Sequence, residues 1–219
     1  MLRIDRRIQA IIDNIPRDSR IIDIGSDHGK VPVYAVLNGI AQYAIATDIS
    51  RKSLEKTVAL AKEHNVADKI ECRVGNGLEV IKEGEGDTLI IAGMGAREIT
   101  EILLKSKLKF DTYILVPHNA TVRLRHFLIN NEYYIKKDHK VAANDRFYDI
   151  IVCMKGFTKL SERELMLGKS DKDNADFRAF LIKEREKLAG ILKAVNSNSD
   201  DYNNLKKYYD LIDEVINEN

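Results

Sequence analysis

The chain has 219 residues, enough for one medium-sized domain with an appendage or for two small domains. With 44% hydrophobic residues and a net charge of +1, it can bury a full core but has no global positive charge, so any surface for nucleic acid has to be a local basic patch. Its two distant cysteines, Cys72 and Cys153, lie in apolar runs, which excludes a disulfide framework and zinc-ligand spacing. Since no signal peptide or apolar run of membrane-spanning length is visible, we expect a cytoplasmic protein that binds neither membrane nor metal.

A helix is predicted over residues 3–14 from isoleucines at helical spacing, and a regular alternation of strands and helices follows it. The predicted strands are residues 20–25, 43–48, 69–74, 87–92 and 111–116. The helices between and after them are residues 30–37, 51–64, 96–105 and 121–130. This alternation predicts a parallel sheet with helices on both faces. Two further strands, residues 133–141 and 147–155, have no helix between them and should pair antiparallel at one edge.

The sequence therefore predicts an α/β, Rossmann-like domain over residues 1–156, with a mostly parallel seven-stranded sheet and an antiparallel edge. Residues 157–219 differ in character, because they carry no strand pattern. Two sets of apolar residues near a 3.5-residue period flank a turn-like segment at residues 196–201. The sets are Phe177, Leu181, Leu188, Ile191 and Val195, and Leu205, Tyr209, Ile212 and Ile216. They predict an antiparallel helical hairpin, a short coiled coil that either is structural or grips a long substrate.

The loop after the first strand carries acidic residues where a dinucleotide-binding loop would carry a second glycine. Asp23 and Asp27 flank Gly25, and their carboxylates would repel a pyrophosphate. A cofactor with a cationic amino-acid tail, such as S-adenosylmethionine, would be attracted instead. The alternative is that one aspartate merely caps the next helix.

The ends of the next strands carry matching signals. Asp48 lies about 20 residues beyond the glycine turn, where a carboxylate grips a ribose diol, although it could also be a plain helix cap. Asn76 lies between two glycines and suits the edge of an adenine ring, although such a pair also marks an ordinary turn. The glycines around Met94 allow close approach of a bound molecule, and with Pro117-His118-Asn119 they should border the place where methyl donor and acceptor meet.

The segments DIGSDHG, GNGL, IAGMGA and RFYDIIV resemble the bacterial tRNA (adenine-22-N1)-methyltransferases, the TrmK family, over about residues 2–155. The resemblance implies a class I methyltransferase fold, S-adenosylmethionine as donor, N1 of an adenine in the tRNA D-loop as acceptor, and a C-terminal coiled-coil domain. The chain departs from the family at Gly29-Lys30, where the family has Ala-Tyr. It also has Asn76 for an aspartate and Asp48 for a glutamate, but both keep an acceptor oxygen.

Motif by motif, the resemblance and the strand-end positions give three sets of expected site residues. The cofactor-binding set is Asp23, Gly25, Ser26, Asp27, His28, Asp48, Ile49, Asn76, Gly77, Gly93 and Met94. The catalytic set, at the acceptor side, is Asp27, Met94 and Asn119. The RNA-binding set is Arg3, Arg6, Arg7, Arg123, Arg125, Arg146 and Tyr148. Lys105, Lys107 and Lys109 are further candidates for phosphate, although each basic cluster could simply be a solvated face.

The chemistry implied is direct attack of the adenine N1 lone pair on the methyl carbon, so the main task of the protein is positioning. Asp27, or the backbone near Gly93, would stabilise the positive charge that forms on the base. Two other readings remain: a methyltransferase for another RNA, a protein or a small molecule, and a non-catalytic RNA-binding module with a degenerate pocket. We expect a monomer in each case.

Overall fold

The computed structural model describes residues 2–26 and 28–218 and is built on a seven-stranded sheet. The strands are β1 Ser19–Ile24, β2 Ala41–Asp48, β3 Ile70–Val74, β4 Thr88–Ala92, β5 Thr112–Val116, β6 Tyr133–Ala143 and β7 Arg146–Lys155. Their order across the sheet is β3-β2-β1-β4-β5-β7-β6. Neighbours pair in parallel except at β7, which runs antiparallel to both β5 and β6. The predicted α/β fold with an antiparallel edge is confirmed.

Helices cover both faces of this sheet because successive strand residues point to opposite sides. Their bounds are α1 Arg6–Ile12, α2 Lys30–Leu37, α3 Arg51–Glu63, α4 Ala96–Lys105 and α5 Thr121–Asn130, with a short 3-10 helix at Ala67–Lys69. Ile21 of β1 packs in the core beneath α1 and α2, whereas its neighbour Ile22 packs beneath α4 and α5. Because these strands are buried on both faces, their sequences are continuous apolar runs and do not alternate between apolar and polar residues.

The C-terminal region forms three helices: α6 Glu162–Leu167, α7 Ala175–Leu192 and α8 Asp200–Asn217. Helices α7 and α8 pack together through a buried cluster that includes Phe177, Leu188 and Ile212, and Arg185 pairs with Asp213 across them at 3.0 Å. With only a short connection between them, they form the predicted antiparallel hairpin. We call the segment from α6 to α8 the helical arm.

The sequence pattern was wrong in two details of the helical arm. It did not separate α6, whose N-terminus is fixed by a capping box in which Ser161 and Glu164 bond each other's backbone N–H. It also extended the first long helix to Val195, but α7 ends at Leu192, and Val195 lies in the connection before α8. Both errors concern helix ends, because the spacing of apolar residues does not define where a helix begins or ends.

The helical arm is fastened to the sheet domain by polar contacts at its base. The backbone N–H of Lys169 donates to the carbonyl of Asp138 on β6 at 2.7 Å. Arg6 of α1 pairs with Asp176 of α7 through two hydrogen bonds of 3.1 and 2.8 Å. These bonds tie the N-terminal helix to α7, and the sheet edge to the segment between α6 and α7. The division between residues 156 and 157 stays a prediction.

Candidate active site

A cleft of about 610 Å³ opens at the carboxyl ends of β1, β2, β3 and β4. In an α/β sheet this edge is where ligands bind, near the point where the strand order reverses. Here the reversal lies between β1 and β4. Seven residues of the predicted cofactor-binding set line the cleft: Gly25, Asp48, Ile49, Asn76, Gly77, Gly93 and Met94.

The turn after β1 is shaped by Gly25, which has a positive φ of 74°. A Cβ at this position would lie 2.4 Å from Cε of Met94, so a side chain here would displace the end of the methionine side chain in the loop after β4. The backbone N–H groups of Gly25 and Ser26 both donate to the carbonyl of Thr47, at 2.8 and 3.0 Å. The glycine turn therefore lets the ends of β1, β2 and β4 meet around the cleft.

Asp23 and Ser26 lie behind this turn rather than on the cleft wall. Asp23 is 5% exposed, and its burial raises the pKa of the carboxyl to about 7; the Ser26 hydroxyl opposes this rise and the charge of Asp48 adds to it. The Ser26 hydroxyl is itself buried and makes no hydrogen bond of good geometry with any described residue. A buried carboxyl that gives up its proton near neutral pH is suited to receive a cationic group from a ligand.

The loop after β1 also contains His28 and Asp27. His28 is exposed, has a positive φ of 67°, and lies with its Nε2 3.3 Å from Nζ of Lys56. Asp27 lies outside the described residues, so its assignment to the cofactor and to catalysis stays a prediction.

Asp48 and Ile49 form the wall at the end of β2. One carboxylate oxygen of Asp48 accepts from the backbone N–H of Ser50 at 2.7 Å. Capping of α3 is performed by Ser50, whose hydroxyl oxygen accepts from Ser53 at 3.3 Å. Asp48 is therefore not needed as the helix cap. Ile49 is 75% exposed and lines the cleft, so its apolar side chain is open to a bound group.

The loop that carries Asn76 is held in place by Arg73, a residue that the sequence pattern did not single out. The guanidinium of Arg73 donates to the carbonyl of Val80 at 2.9 Å and pairs with Glu71 and Glu85. The pairing with Arg73 lowers the pKa of Glu85 to about 2. The ion pairs fix both ends of the loop, because Glu71 and Arg73 belong to β3 whereas Val80 and Glu85 lie beyond Asn76.

On the acceptor side, Gly93 and Met94 of the loop after β4 line the cleft, and the loop after β5 packs against them. The backbone N–H of His118 donates to the carbonyl of Met94 at 2.9 Å, and its Nδ1 lies 3.2 Å from the carbonyl oxygen of Gly93. A Cβ on Gly95 would lie 2.4 Å from Oε2 of Glu98 and 2.9 Å from Oδ1 of Asn119. Two side-chain oxygens thus converge over Gly95, next to Met94. Glu98 was missed, because an acidic residue in the first turn of a helix is ordinary in sequence.

The predicted RNA-binding residues fall into different environments. Arg3, Arg123 and Arg146 are exposed, as a phosphate contact requires. Arg7 lies over the ring of Tyr148 at 5.2 Å, and its buried Nε has no hydrogen-bond partner among the described residues.

Arg6 and Arg146 also line a second cleft of about 590 Å³, formed by the start of the chain, the β6–β7 turn and α7. Lys183 of α7 adds a further cation to that cleft. The cleft therefore presents positive side chains from both the sheet domain and the helical arm.

Arg125 corrects the prediction, because it cannot contact RNA in this structure. Its side chain is 1% exposed and pairs with Asp138 at 2.6 Å and with Asp149 at 2.9 Å. Its Nη1 also donates to the carbonyls of Leu165 and Met166 at 3.2 Å. In the sequence, Arg125 looks like the other basic residues, but its side chain faces the interior. A buried charge there has to be paired with an opposite charge.

Among residues 2–26 and 28–218, no group of three or more His, Cys, Asp or Glu side chains is arranged to hold a metal ion. Over the same residues, no helix is long and apolar enough to cross a membrane.

Comparison with known proteins identifies relatives with this arrangement. The profile of the methyltransferase domain family matches residues 4–151. The tRNA (adenine(22)-N(1))-methyltransferase of Bacillus subtilis is 29% identical, over 98% of this chain and 94% of its own length.

Two solved structures match nearly the whole chain. Mycoplasma capricolum TrmK in complex with S-adenosyl-homocysteine is 27% identical, with a TM-score of 0.86 and 97% of each chain covered. Streptococcus pneumoniae Sp1610 in complex with S-adenosyl-L-methionine is 26% identical, with a TM-score of 0.87, covering 98% of this chain and 100% of that one. The helical arm is included in these matches, since they extend over nearly the whole chain.

Proposed function

The chain belongs to the methyltransferase domain family, and on that basis we propose that it transfers a methyl group from S-adenosylmethionine to N1 of an adenine in tRNA. The observation that carries this proposal is the cleft at the switch point, whose walls hold Asp48, Ile49 and Asn76 together with Met94 and Glu98. Asn119 lies close to this wall, next to Gly95. The first three residues fit a nucleoside, and Met94 and Glu98 lie where an acceptor would enter. The name of the Bacillus subtilis relative supports N1 of adenine 22 as the acceptor.

The donor side fits the chemistry of S-adenosylmethionine group by group. Asp48 would accept hydrogen bonds from the ribose hydroxyls, and Ile49 would pack on the adenine ring. The Asn76 amide can both donate to and accept from the edge of that ring. Asp23, buried behind the Gly25 turn, would receive the positive charge of the amino-acid tail. When bound, the cofactor supplies an electrophilic methyl group on its sulfonium.

On the acceptor side the chain has to hold a base that carries its own nucleophile. Adenine N1 has an in-plane lone pair, so the protein acts by fixing the approach to the methyl carbon at about 3–3.5 Å. As N1 becomes positive, the exocyclic amino group becomes a stronger donor. The side-chain oxygens of Asn119 and Glu98, which converge over Gly95, would accept a hydrogen bond from it. Asp27 stays a candidate for the same task.

A base in folded tRNA has to leave its stack before it can enter the cleft, at a cost of a few kcal/mol. Arg3, Arg123 and Arg146 are exposed cations that can bind the flanking phosphates. Tyr148 with Arg7 above it offers a ring and a cation for a displaced base. The helical arm extends the contact surface beyond what a small substrate needs. The protein would act on tRNA in the cytoplasm, as a monomer.

The test is methylation of unmodified tRNA by the full-length protein with methyl-labelled S-adenosylmethionine, followed by digestion to nucleosides. We expect label in N1-methyladenosine. An Asp48→Asn variant should lose most of this activity through weaker cofactor binding, whereas an exposed Asp68→Asn control should keep it. Label in another nucleoside would redirect the proposal to a different RNA position. Binding of the cofactor without label in RNA would favour a small-molecule acceptor, and absence of cofactor binding would favour a non-catalytic module.

A further inference from the structure

The loop at residues 117–120 brings Asn119 to the acceptor side of the cleft, but its far end is not held by a conventional helix cap. Ala120, the N-cap residue of α5, has a positive φ of 51° and no side chain that could bond the helix. Alanine in this left-handed conformation is unfavourable, so neighbouring contacts have to maintain it. The next residue, Thr121, supplies such a contact.

Thr121 donates its hydroxyl to Oδ2 of Asp149 on β7 at 2.8 Å. The other carboxylate oxygen of Asp149 accepts from Nη2 of Arg125 at 2.9 Å and from Nζ of Lys140 at 2.6 Å. Burial alone would raise the pKa of Asp149, but the charges of Lys140 and Arg125 hold that pKa below its usual value. These two cations therefore favour the charged form of the carboxylate, which is held on β7 between β5 and β6.

The same buried group also holds the base of the helical arm. Arg125 bonds the last carbonyls of α6, and Nζ of Lys140 lies 4.0 Å from the ring centre of Phe180 on α7. At Gly168 a Cβ would lie only 2.9 Å from both Arg125 and Asp138, so the chain passes directly against the buried charges there. The Thr121 bond thus connects the acceptor loop to a rigid point shared by the sheet and the arm.

We propose that Thr121 is a positioning residue for methyl transfer, and that Asp149 is its anchor. The hydroxyl–carboxylate bond fixes the start of α5, and with it the place of Asn119 beside Gly95 and Met94. This inference rests on the proposed function, because the effect it describes is on that reaction. Displacement of a loop at a reacting centre by about 1 Å can lower a rate about a hundredfold without loss of binding.

The test is the single-turnover rate of the full-length protein on tRNA, compared with the dissociation constants for tRNA and S-adenosylmethionine. Thr121→Val keeps the shape of the side chain and removes the donor. We expect its rate to fall about tenfold or more while both dissociation constants stay within about threefold. Thr121→Ser restores the hydroxyl and should keep the rate within about twofold of the wild type.

Thr100→Val is the matched control. Thr100 is a half-buried helical threonine whose hydroxyl donates to the carbonyl of Ala96 at 2.7 Å, outside the anchored loop. Its rate should stay near the wild-type value. A Thr121→Val rate near wild type, or an equal loss in Thr121→Ser, would overturn the positioning role while leaving the proposed function intact. Failure of the wild-type protein to methylate any tRNA would overturn the proposed function, and this inference with it.

Discussion

Replacement of Asp23 by Asn is expected to stabilise the ligand-free protein at alkaline pH and to weaken binding of S-adenosylmethionine. In the folded protein, burial keeps the Asp23 carboxyl protonated up to about pH 7, whereas a pKa of 3.8 applies when it is exposed. Between these values the folded state binds more protons than the unfolded state, so stability falls as pH rises. The loss is complete above about pH 7.

The size of this effect follows from the pKa difference. A rise from 3.8 to about 7 is about three pKa units, and each unit corresponds to about 1.4 kcal/mol, giving a plateau of about 4 kcal/mol. Asparagine has no charge to bury at any pH. The stability advantage of Asp23→Asn should therefore grow by about 2 kcal/mol between pH 5.5 and pH 8.5.

Urea unfolding at these two pH values, together with calorimetric titration of the cofactor, tests this reasoning. Loss of a buried charge partner should weaken cofactor binding about tenfold or more. Asp68→Asn is the control, since Asp68 is exposed in the 3-10 helix. An Asp23→Asn variant whose stability advantage does not change with pH, or which binds the cofactor like the wild type, would refute the role given to this carboxyl.

Three other substitutions should each affect a different property: cofactor binding, stability or tRNA binding. Arg73→Met releases the loop of Asn76 and should raise the cofactor dissociation constant about tenfold, measured by calorimetry, with little effect on tRNA affinity. Arg125→Met leaves the buried carboxyl of Asp138 without its salt-bridge partner and should lower the free energy of unfolding by about 3 kcal/mol, measured with urea. Arg146→Ala should weaken tRNA binding and reduce the slope of log affinity against log salt by about 1.

Arg97→Met is the common control, because Arg97 is exposed and pairs within its own helix with Glu101 at 2.8 Å. It should leave stability, cofactor affinity and salt dependence almost unchanged. Unaltered cofactor binding in Arg73→Met, unaltered stability in Arg125→Met, or an unaltered salt slope in Arg146→Ala would each contradict the corresponding contact.

The fold was predictable because its signals are local. Strands buried on both faces read as short apolar runs, and the helices between them have clear ends, so α2, α4 and α5 have the bounds that the sequence predicts. The seven-stranded sheet with its antiparallel edge followed from the missing helix between β6 and β7. The rule that strand ends meet at the switch point predicts which loops line the cleft.

Contacts between distant segments were not predictable in the same way. Arg125 reads as one of several basic residues on α5, and nothing local shows that Asp138 and Asp149 face it from two strands. One signal was available: Asp149 precedes an apolar run in β7, and an aspartate there has to be paired if it points inward. Arg73 gave no such signal, since its partners on either side of the Asn76 loop meet it only in the folded chain.

Methylation of one defined adenine is tested most directly by primer extension on a tRNA transcript treated with the protein and S-adenosylmethionine. A methyl group on N1 blocks base pairing, so reverse transcriptase stops at the modified residue. We predict a cofactor-dependent stop at adenine 22, the position in the name of the Bacillus subtilis relative, and its loss when that adenine is replaced by guanine. A stop at another position, or one that persists after this replacement, would contradict the proposed acceptor.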